Sequence, residues 1–329
     1  MAESKYMTIN MGPQHPATHG VLRVVLELDG ETIVSSTPDI GYLHRGIEKI
    51  FENRTYWQGQ PLTDRLDYTS GMSNNLAYCL AVEKLLGIEI PKRAQYIRVM
   101  LSELQRIAAH LLWVSTHALD MGAMTVLFYG FRERESCLKV LEKVSGARLM
   151  PDYIRFGGLR EELPEGFLKE AKAFIDDLPR RIDEYETLLT ENVIWKRRLK
   201  DVCPLSAEDA IGYGVTGPVL RASGVNYDVR KAYPYTSYED FDFEIPLGTA
   251  GDIYDRYLVR LKEMRQSVRI VDQAIQKLPD GPIKADAPEY VPPEKTDVSK
   301  DMAALIRHFK IMADGIKPPK GEAYASIES

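Results

Sequence analysis

The sequence predicts a predominantly helical α+β fold, with an N-terminal β-hairpin or small sheet followed by a helical bundle. Three observations carry that expectation. Apolar residues alternate with a strand period near the start, around an Asp29-Gly30 turn; beyond it they recur at helical spacing over long stretches; and Gly or Pro punctuates the ends of those stretches. With 329 residues, 44% hydrophobic and 27% charged, the chain can bury a sizeable core.

From residue 7 to about 38 the pattern is strand-like: Val21, Val24, Val25, Leu26 and Leu28, the turn, then Thr32, Ile33 and Val34. Helical periodicity follows over 72–86, closed by Gly87, and over 91–121, where Pro91 suits a first turn and Gly122 a stop. Further helices are expected over 125–144 before Gly146 and over 164–199, the latter interrupted or kinked at Pro179. These four would form an antiparallel bundle. Ser206 opens a short helix, 212–242 reads as irregular, and 252–278 is a long amphipathic helix ended by Pro279-Asp-Gly-Pro282. A proline-rich connector over 280–297 leads to a helix over 299–314. The alternation in 321–329 reads as a strand cut in mid-sheet, which suggests a truncated or split polypeptide. The organisation expected is therefore a β region with a histidine loop (1–56), a helical bundle (57–200), an irregular or β segment (201–251), and a long helix, connector, helix and strand start (252–329).

Composition excludes several classes of function. The 42 basic and 48 acidic residues give a net charge of −6 without a basic run, so nucleic acid is not an expected partner. Neither a signal-peptide pattern nor a long uncharged apolar run occurs, which suits a soluble or peripheral protein. Cys79, Cys137 and Cys203 lie far apart, matching neither a CxxC metal site nor an iron–sulfur cluster held by this chain alone. Phosphate loops, GxSxG and HExxH motifs are missing from the sequence, which removes the main support for nucleotide hydrolysis, serine hydrolysis and zincin chemistry.

Three places could carry chemistry. His15 and His19, held among Pro13, Pro16 and Gly20, form a stiff loop able to present imidazoles. Asp64, Arg65, Asp67 and Tyr68 cluster before a helix; Asp67 or Ser70 could cap that helix, while Tyr68 offers a neutral O–H and Arg65 can orient either acid. Asp120, at a helix end among apolar neighbours, is expected to be buried or half-buried with a raised pKa, or else to tie down the turn at Gly122. Arg45, after a turn, could face an anionic group or form a surface ion pair, and His110 and His117 read as core groups.

The strings GPQHPATHGVLR, IGYLHRGIEK, DRLDY, HALDMGAMT and LRASGVNYDVRK, spread over essentially the whole chain, resemble the quinone-site subunit of respiratory complex I. That family is similar in turn to the large subunit of [NiFe] hydrogenases. The resemblance puts Asp67 and Ser70 where the hydrogenases carry nickel-binding cysteines, so it implies a metal-free pocket open to a quinone headgroup.

It further implies that Tyr68 donates to one quinone carbonyl, that His19 approaches the other with Asp120 as its partner, and that Arg65 and Asp67 border the site. Arg45 would lie near a [4Fe-4S] cluster in the adjoining subunit, and Met150 occupies a position where many members carry histidine, implying a pH-independent cluster potential and a lower-potential quinone such as menaquinone. No cofactor would be bound by this chain alone, and quinone would be the substrate. The function implied is that of a subunit of a proton-translocating NADH:quinone oxidoreductase, active within the complex. Its partners would be the cluster-bearing small subunit, other peripheral-arm subunits and the membrane-arm subunits. It would sit peripherally on the cytoplasmic face of a bacterial inner membrane, or on the matrix or stromal side of an organelle. The alternatives are a homologous subunit of a ferredoxin- or F420H2-dependent oxidoreductase and a non-catalytic scaffold.

Overall fold

The computed structural model describes residues 6–329, which fall into two compact units, one ending at Asn53 and the other Arg54–Ser329. In the first, strands β1 (Met7–Met11), β2 (Arg23–Asp29) and β3 (Thr32–Asp39) form an antiparallel sheet in the order β1-β2-β3. Met7 faces Leu28 and Met11 faces Val24 across β1 and β2, while the hairpin from β2 to β3 carries a bulge between Glu27 and Leu28. An ion pair from Arg23 to Asp39 closes its open end. The short helix α1 (Ile47–Phe51) follows Gly46. Only Thr18 and Leu26 are buried among the described residues of this unit, and Ile33 and Val34 of β3 are exposed.

The second unit is mostly helix. Helix α2 (Tyr56–Thr63) is opened by a capping box between Thr55 and Gln58 and precedes α3 (Gly71–Leu86), α4 (Lys92–Asp120) and α5 (Met124–Ser145). Two short strands, β4 (Ile154–Arg155) and β5 (Gly158–Leu159), form a small hairpin before α6 (Phe167–Tyr185), a π-helical turn over Glu186–Thr190 and α7 (Val193–Leu199). Short helices α8 (Ala207–Gly212), α9 (Gly217–Ala222) and α10 (Val229–Ala232) precede α11 (Ile253–Gln276), α12 (Lys295–Val298) and α13 (Met302–Ala313). The fold is thus the predominantly helical α+β class expected. Terminators act as read: α3 and α5 end on left-handed Gly87 and Gly146, and Asp252 caps α11 by accepting the Asp255 N–H.

The bundle differs from the expected one in its membership. Helices α4, α5, α6 and α11 pack together, α4 against both α5 and α11, whereas α3 lies beside α4 with α2 and β4. Local periodicity marks a helix and its apolar face, but not which distant helix covers that face. α4 joins two cores. Ile97, Met100, Leu101 and Leu104 belong to one with Leu76, Phe156 and Ile270, and Leu111, Val114 and Ala118 to the other with Ile182, Trp195 and Leu261.

Two further expectations are corrected. α6 runs unbroken through Pro179; the interruption falls after Tyr185, in the π-helical turn and at Asn192, whose side chain accepts from the Ile194 and Trp195 N–H groups. Residues 321–329 form no strand; their backbone carbonyls are held by side chains and not by a sheet edge. Arg106 donates to the Glu328 carbonyl at 2.8 Å, and the Glu328 N–H donates to the Tyr235 hydroxyl at 3.0 Å.

Candidate functional site

His19 and Arg45 belong to the first unit; Arg65, Asp67, Tyr68 and Asp120 belong to the second. In the histidine loop the two imidazoles have different tasks. His15 caps a 3-10 turn, Pro16–Thr18, its Nδ1 accepting the Ala17 N–H at 3.1 Å, while the buried Thr18 hydroxyl donates to the His15 carbonyl at 3.1 Å. His15 therefore holds the loop's shape. His19 closes the same turn through its backbone N–H to Pro16, in the left-handed region at φ 51°, and its side chain is exposed. Gly12 has no substitute here: at φ +89° an added Cβ would lie 2.1 Å from the Leu22 carbonyl and 2.6 Å from the Thr18 hydroxyl. Arg45 is exposed just before Gly46, the residue from which α1 starts.

In the second unit the α2–α3 turn is braced from within. Arg65 donates to the Pro61 carbonyl at the end of α2, and the Asp67 carboxylate accepts both the backbone N–H and the hydroxyl of Thr69, at 2.9 and 2.7 Å. Asp67 also accepts through its carbonyl from Asn74 on α3. Neither Asp67 nor Ser70 caps α3 with its side chain; Ser70 is the N-cap residue, but its buried hydroxyl accepts from Ser329. Tyr68, at the tip of this turn, is 57% exposed and so holds its phenol outward. Asp64, by contrast, is fully buried under the segment that contains Asp152, whose backbone N–H donates to it at 3.0 Å.

Asp120 corrects the expectation of burial: it is exposed. It is the last residue of α4, and the turn beyond is closed by backbone bonds from Gly122 to Leu119 and from Ala123 to Ala118, which leave its side chain on the outside despite apolar sequence neighbours. Its field acts on His117 one turn earlier. Burial pushes the His117 imidazole down, Asp120 offsets part of that, and Arg260 adds to it. His117 stacks on Trp113 with centroids 4.7 Å apart and meets Trp195 edge-on, so it is the core group its sequence setting suggested.

Behind the turn lies a cavity of about 360 Å³ lined by Asp67, Ser70, Arg106, His110, Trp113 and Arg260. Arg260 sits over the Trp113 ring, 3.9 Å from its centroid, and burial pulls its pKa down to about 10. A larger cavity, about 740 Å³, is bounded by Arg98, Tyr233, Tyr235 and Tyr324 and contains none of the residues singled out in the sequence.

His110, in the wall of the smaller cavity, is the end of a ladder of buried charges that sequence reading missed. From Glu103 on α4 it runs to Arg230 (3.0 Å), Asp228 (2.6 Å), Arg221 (3.8 Å) and Glu263 on α11 (2.7 Å), and returns to α4 at His110 (2.8 Å). Burial alone would raise the Glu103 carboxyl, but Arg106 and Arg230 hold it down to about 2, helped by the Ser267 and Tyr238 hydroxyls at 2.6 Å. Burial pushes His110 down despite Glu263, so the imidazole is the neutral member facing the cavity. The only signal in the sequence was a set of charged residues on apolar helix faces, Glu103 and Arg106 within α4 above all.

The α2–α3 turn thus carries an exposed Tyr68 next to a cavity that mixes charged and aromatic walls, Asp67, Arg106, His110 and Trp113 among them. Comparison with known proteins gives the particular family. Residues 120–329 match the pattern described as "Respiratory-chain NADH dehydrogenase, 49 Kd subunit". The chain is 55% identical over its full length to an NADH-quinone oxidoreductase subunit of Geotalea uraniireducens, covering 84% of that protein, and likewise to its counterpart in Geobacter sulfurreducens. It is 56% identical over 326 residues to an NADH-quinone oxidoreductase subunit of Chloroflexus aurantiacus, covering 98% of this chain and 79% of that one. The chain belongs to the 49 Kd subunit family of the respiratory-chain NADH dehydrogenase.

Proposed function

We propose that the chain forms the quinone-reduction site of a proton-translocating NADH:quinone oxidoreductase, at its interface with a subunit carrying a [4Fe-4S] cluster. The observation that carries this reading is the α2–α3 turn: Arg65 and Asp67 brace it internally, Tyr68 stands exposed at its tip, and behind it opens the cavity walled by Trp113, Arg106 and Arg260. The relatives, named as subunits of NADH-quinone oxidoreductases, support it.

Quinone reduction needs a proton for each electron, since an anion left in a dry site is costly. Tyr68 donates a hydrogen bond to one carbonyl without itself carrying charge, and His19 is the second proton source, its loop held in shape by His15. Asp120 steadies the charge left when His19 gives up or regains a proton, and Arg45 tunes the potential of the neighbouring cluster. That cluster supplies the electrons. In this reading the cluster sits on the partner subunit, and Cys79 and Cys137 are buried in the interior of this chain. Among the described residues no helix is long and apolar enough to cross a membrane, which is compatible with peripheral attachment through membrane-arm subunits on the cytoplasmic face.

Tyr68→Phe tests the reading. In the assembled complex, quinone reductase activity is expected to fall at least about tenfold, as for loss of a proton-donating group, while electron transfer from NADH to an artificial acceptor stays unchanged. Unaltered quinone reduction in that variant refutes the assignment.

A further inference from the structure

Asp64 is an anomaly within the braced turn. It is fully buried at the C-terminal end of α2, where the helix dipole already disfavours a carboxylate. Its Oδ2 accepts the Asp152 N–H, and no described residue places a donor within hydrogen-bond distance of its buried Oδ1, the Asn75 amide on α3 being directed at 2.9 Å to the Thr63 hydroxyl. The Asp152 carboxylate is itself engaged, accepting from the Arg155 guanidinium at 2.8 Å and from the Gln60 amide at 3.3 Å. Among the described residues, two more buried acceptors on the helices flanking the turn, Gln60 Oε1 on α2 and Asn75 Oδ1 on α3, likewise lack donors. What this place is short of is a hydrogen.

We propose that Asp64 is a proton-uptake site: its carboxylate takes a proton from solvent, becoming a neutral carboxyl, when negative charge is added beside the α2–α3 turn. The coupling to an added electron rests on the quinone-site reading; the protonation itself does not. An O–H on Oδ1 supplies the missing donor and removes the repulsion from Asp152 in one step. The groups that act on the carboxyl are Asp152, which repels it, and Asn75 on α3 and Arg65 on its own turn, which favour the anion; burial outweighs both and carries Asp64 up to about 6. That value lies just under neutrality, so a modest added negative potential is enough to fill the site.

The segment around Asp152 also sets the other end of the turn. A Cβ on Gly71, the first residue of α3, would fall 2.9 Å from the Pro151 ring and 3.1 Å from the Leu149 carbonyl. Residues 149–152 thus clamp both Asp64 and Gly71, between which Arg65, Asp67 and Tyr68 are held. Asp64 is a positioning residue: its proton sets the grip of that clamp. Proton uptake next to Met150 then runs through a carboxyl on α2 and needs no titrating side chain at position 150.

Infrared spectroscopy of the assembled complex tests this in two arms. In the oxidised complex, a protonated-carboxyl band is expected to grow as pH falls, with a midpoint near 6, and to be lost in the near-isosteric Asp64→Asn; Asp152→Asn is expected to move the midpoint downward. On reduction at neutral pH the same band is expected to appear in the wild type and not in Asp64→Asn. If the oxidised complex shows no Asp64-dependent band, or if the reduction-linked band survives in Asp64→Asn, the proposal is overturned. The first arm involves no quinone chemistry, so its outcome is separate from that of Tyr68→Phe.

Discussion

Replacing Glu103 by Gln removes one charge where the buried ladder meets α4. With Arg106 and Arg230 beside it, the carboxyl is held at about 2, against 4.5 for an unperturbed one. Each unit of depression corresponds to roughly 1.4 kcal/mol favouring the ionised, folded form, which gives about 3 kcal/mol here. The unfolded chain binds this proton more tightly than the folded one. The stabilisation is therefore complete above the unfolded value and is lost as pH falls from there towards about 2. Gln forfeits it at every pH and also leaves Arg106 short of a counter-charge, although Arg230 keeps Asp228 at 2.6 Å; the loss is expected at the lower end of the roughly 3–5 kcal/mol typical of broken buried pairs. Urea denaturation followed by circular dichroism, at neutral pH and at several acid pH values, measures both effects. Glu103→Gln is expected to be less stable by about 3 kcal/mol at neutral pH and to show a flatter acid limb. Equal stability at neutral pH, or an acid limb as steep as the wild type's, would refute the electrostatic account of the ladder.

Two other outcomes can be checked directly. Gly12→Ala places a methyl 2.1 Å from the Leu22 carbonyl at a positive φ, so the histidine loop is expected to lose its conformation, seen as proteolytic cutting near His15 that the wild type resists; equal resistance would show that the loop adapts. Asp120→Asn takes away the group that partly offsets burial at His117, so the His117 ring is expected to titrate at lower pH by nuclear magnetic resonance, and an unmoved titration would place the Asp120 field elsewhere.

Much of the backbone was legible because punctuation residues do local physical work. Pro91 and Gly122 frame α4, Gly87 and Gly146 end α3 and α5, and Asp29-Gly30 turns the hairpin. What escaped was whatever depends on distant chain. The place of α11 in the bundle and the side-chain partners of residues 321–329 are set by neighbours remote in sequence. Asp120 was misjudged because apolar sequence neighbours say little about a side chain on a helix's last turn. Asp64 stood in the same DRLDY string as Tyr68, but its burial arises from residues 149–152, far along the chain. The stiff loop was readable from its prolines, but only the Ala17 N–H bond shows that His15 serves in its frame.

The closed ladder from Glu103 through Arg230, Asp228, Arg221 and Glu263 to His110 also bears on how this sequence can drift. Each of its charges, on Glu103, Arg230, Asp228, Arg221 and Glu263, is tolerated only because a neighbour is present, so a single replacement strands that neighbour, whereas exchanging a whole set for well-packed apolar side chains can be neutral. Substitution in this interior is therefore expected to come in linked groups spanning α4, α9, α10 and α11. A variant library scored for folding would show it as strong epistasis among these six positions and near-independence between them and the exposed face of α6.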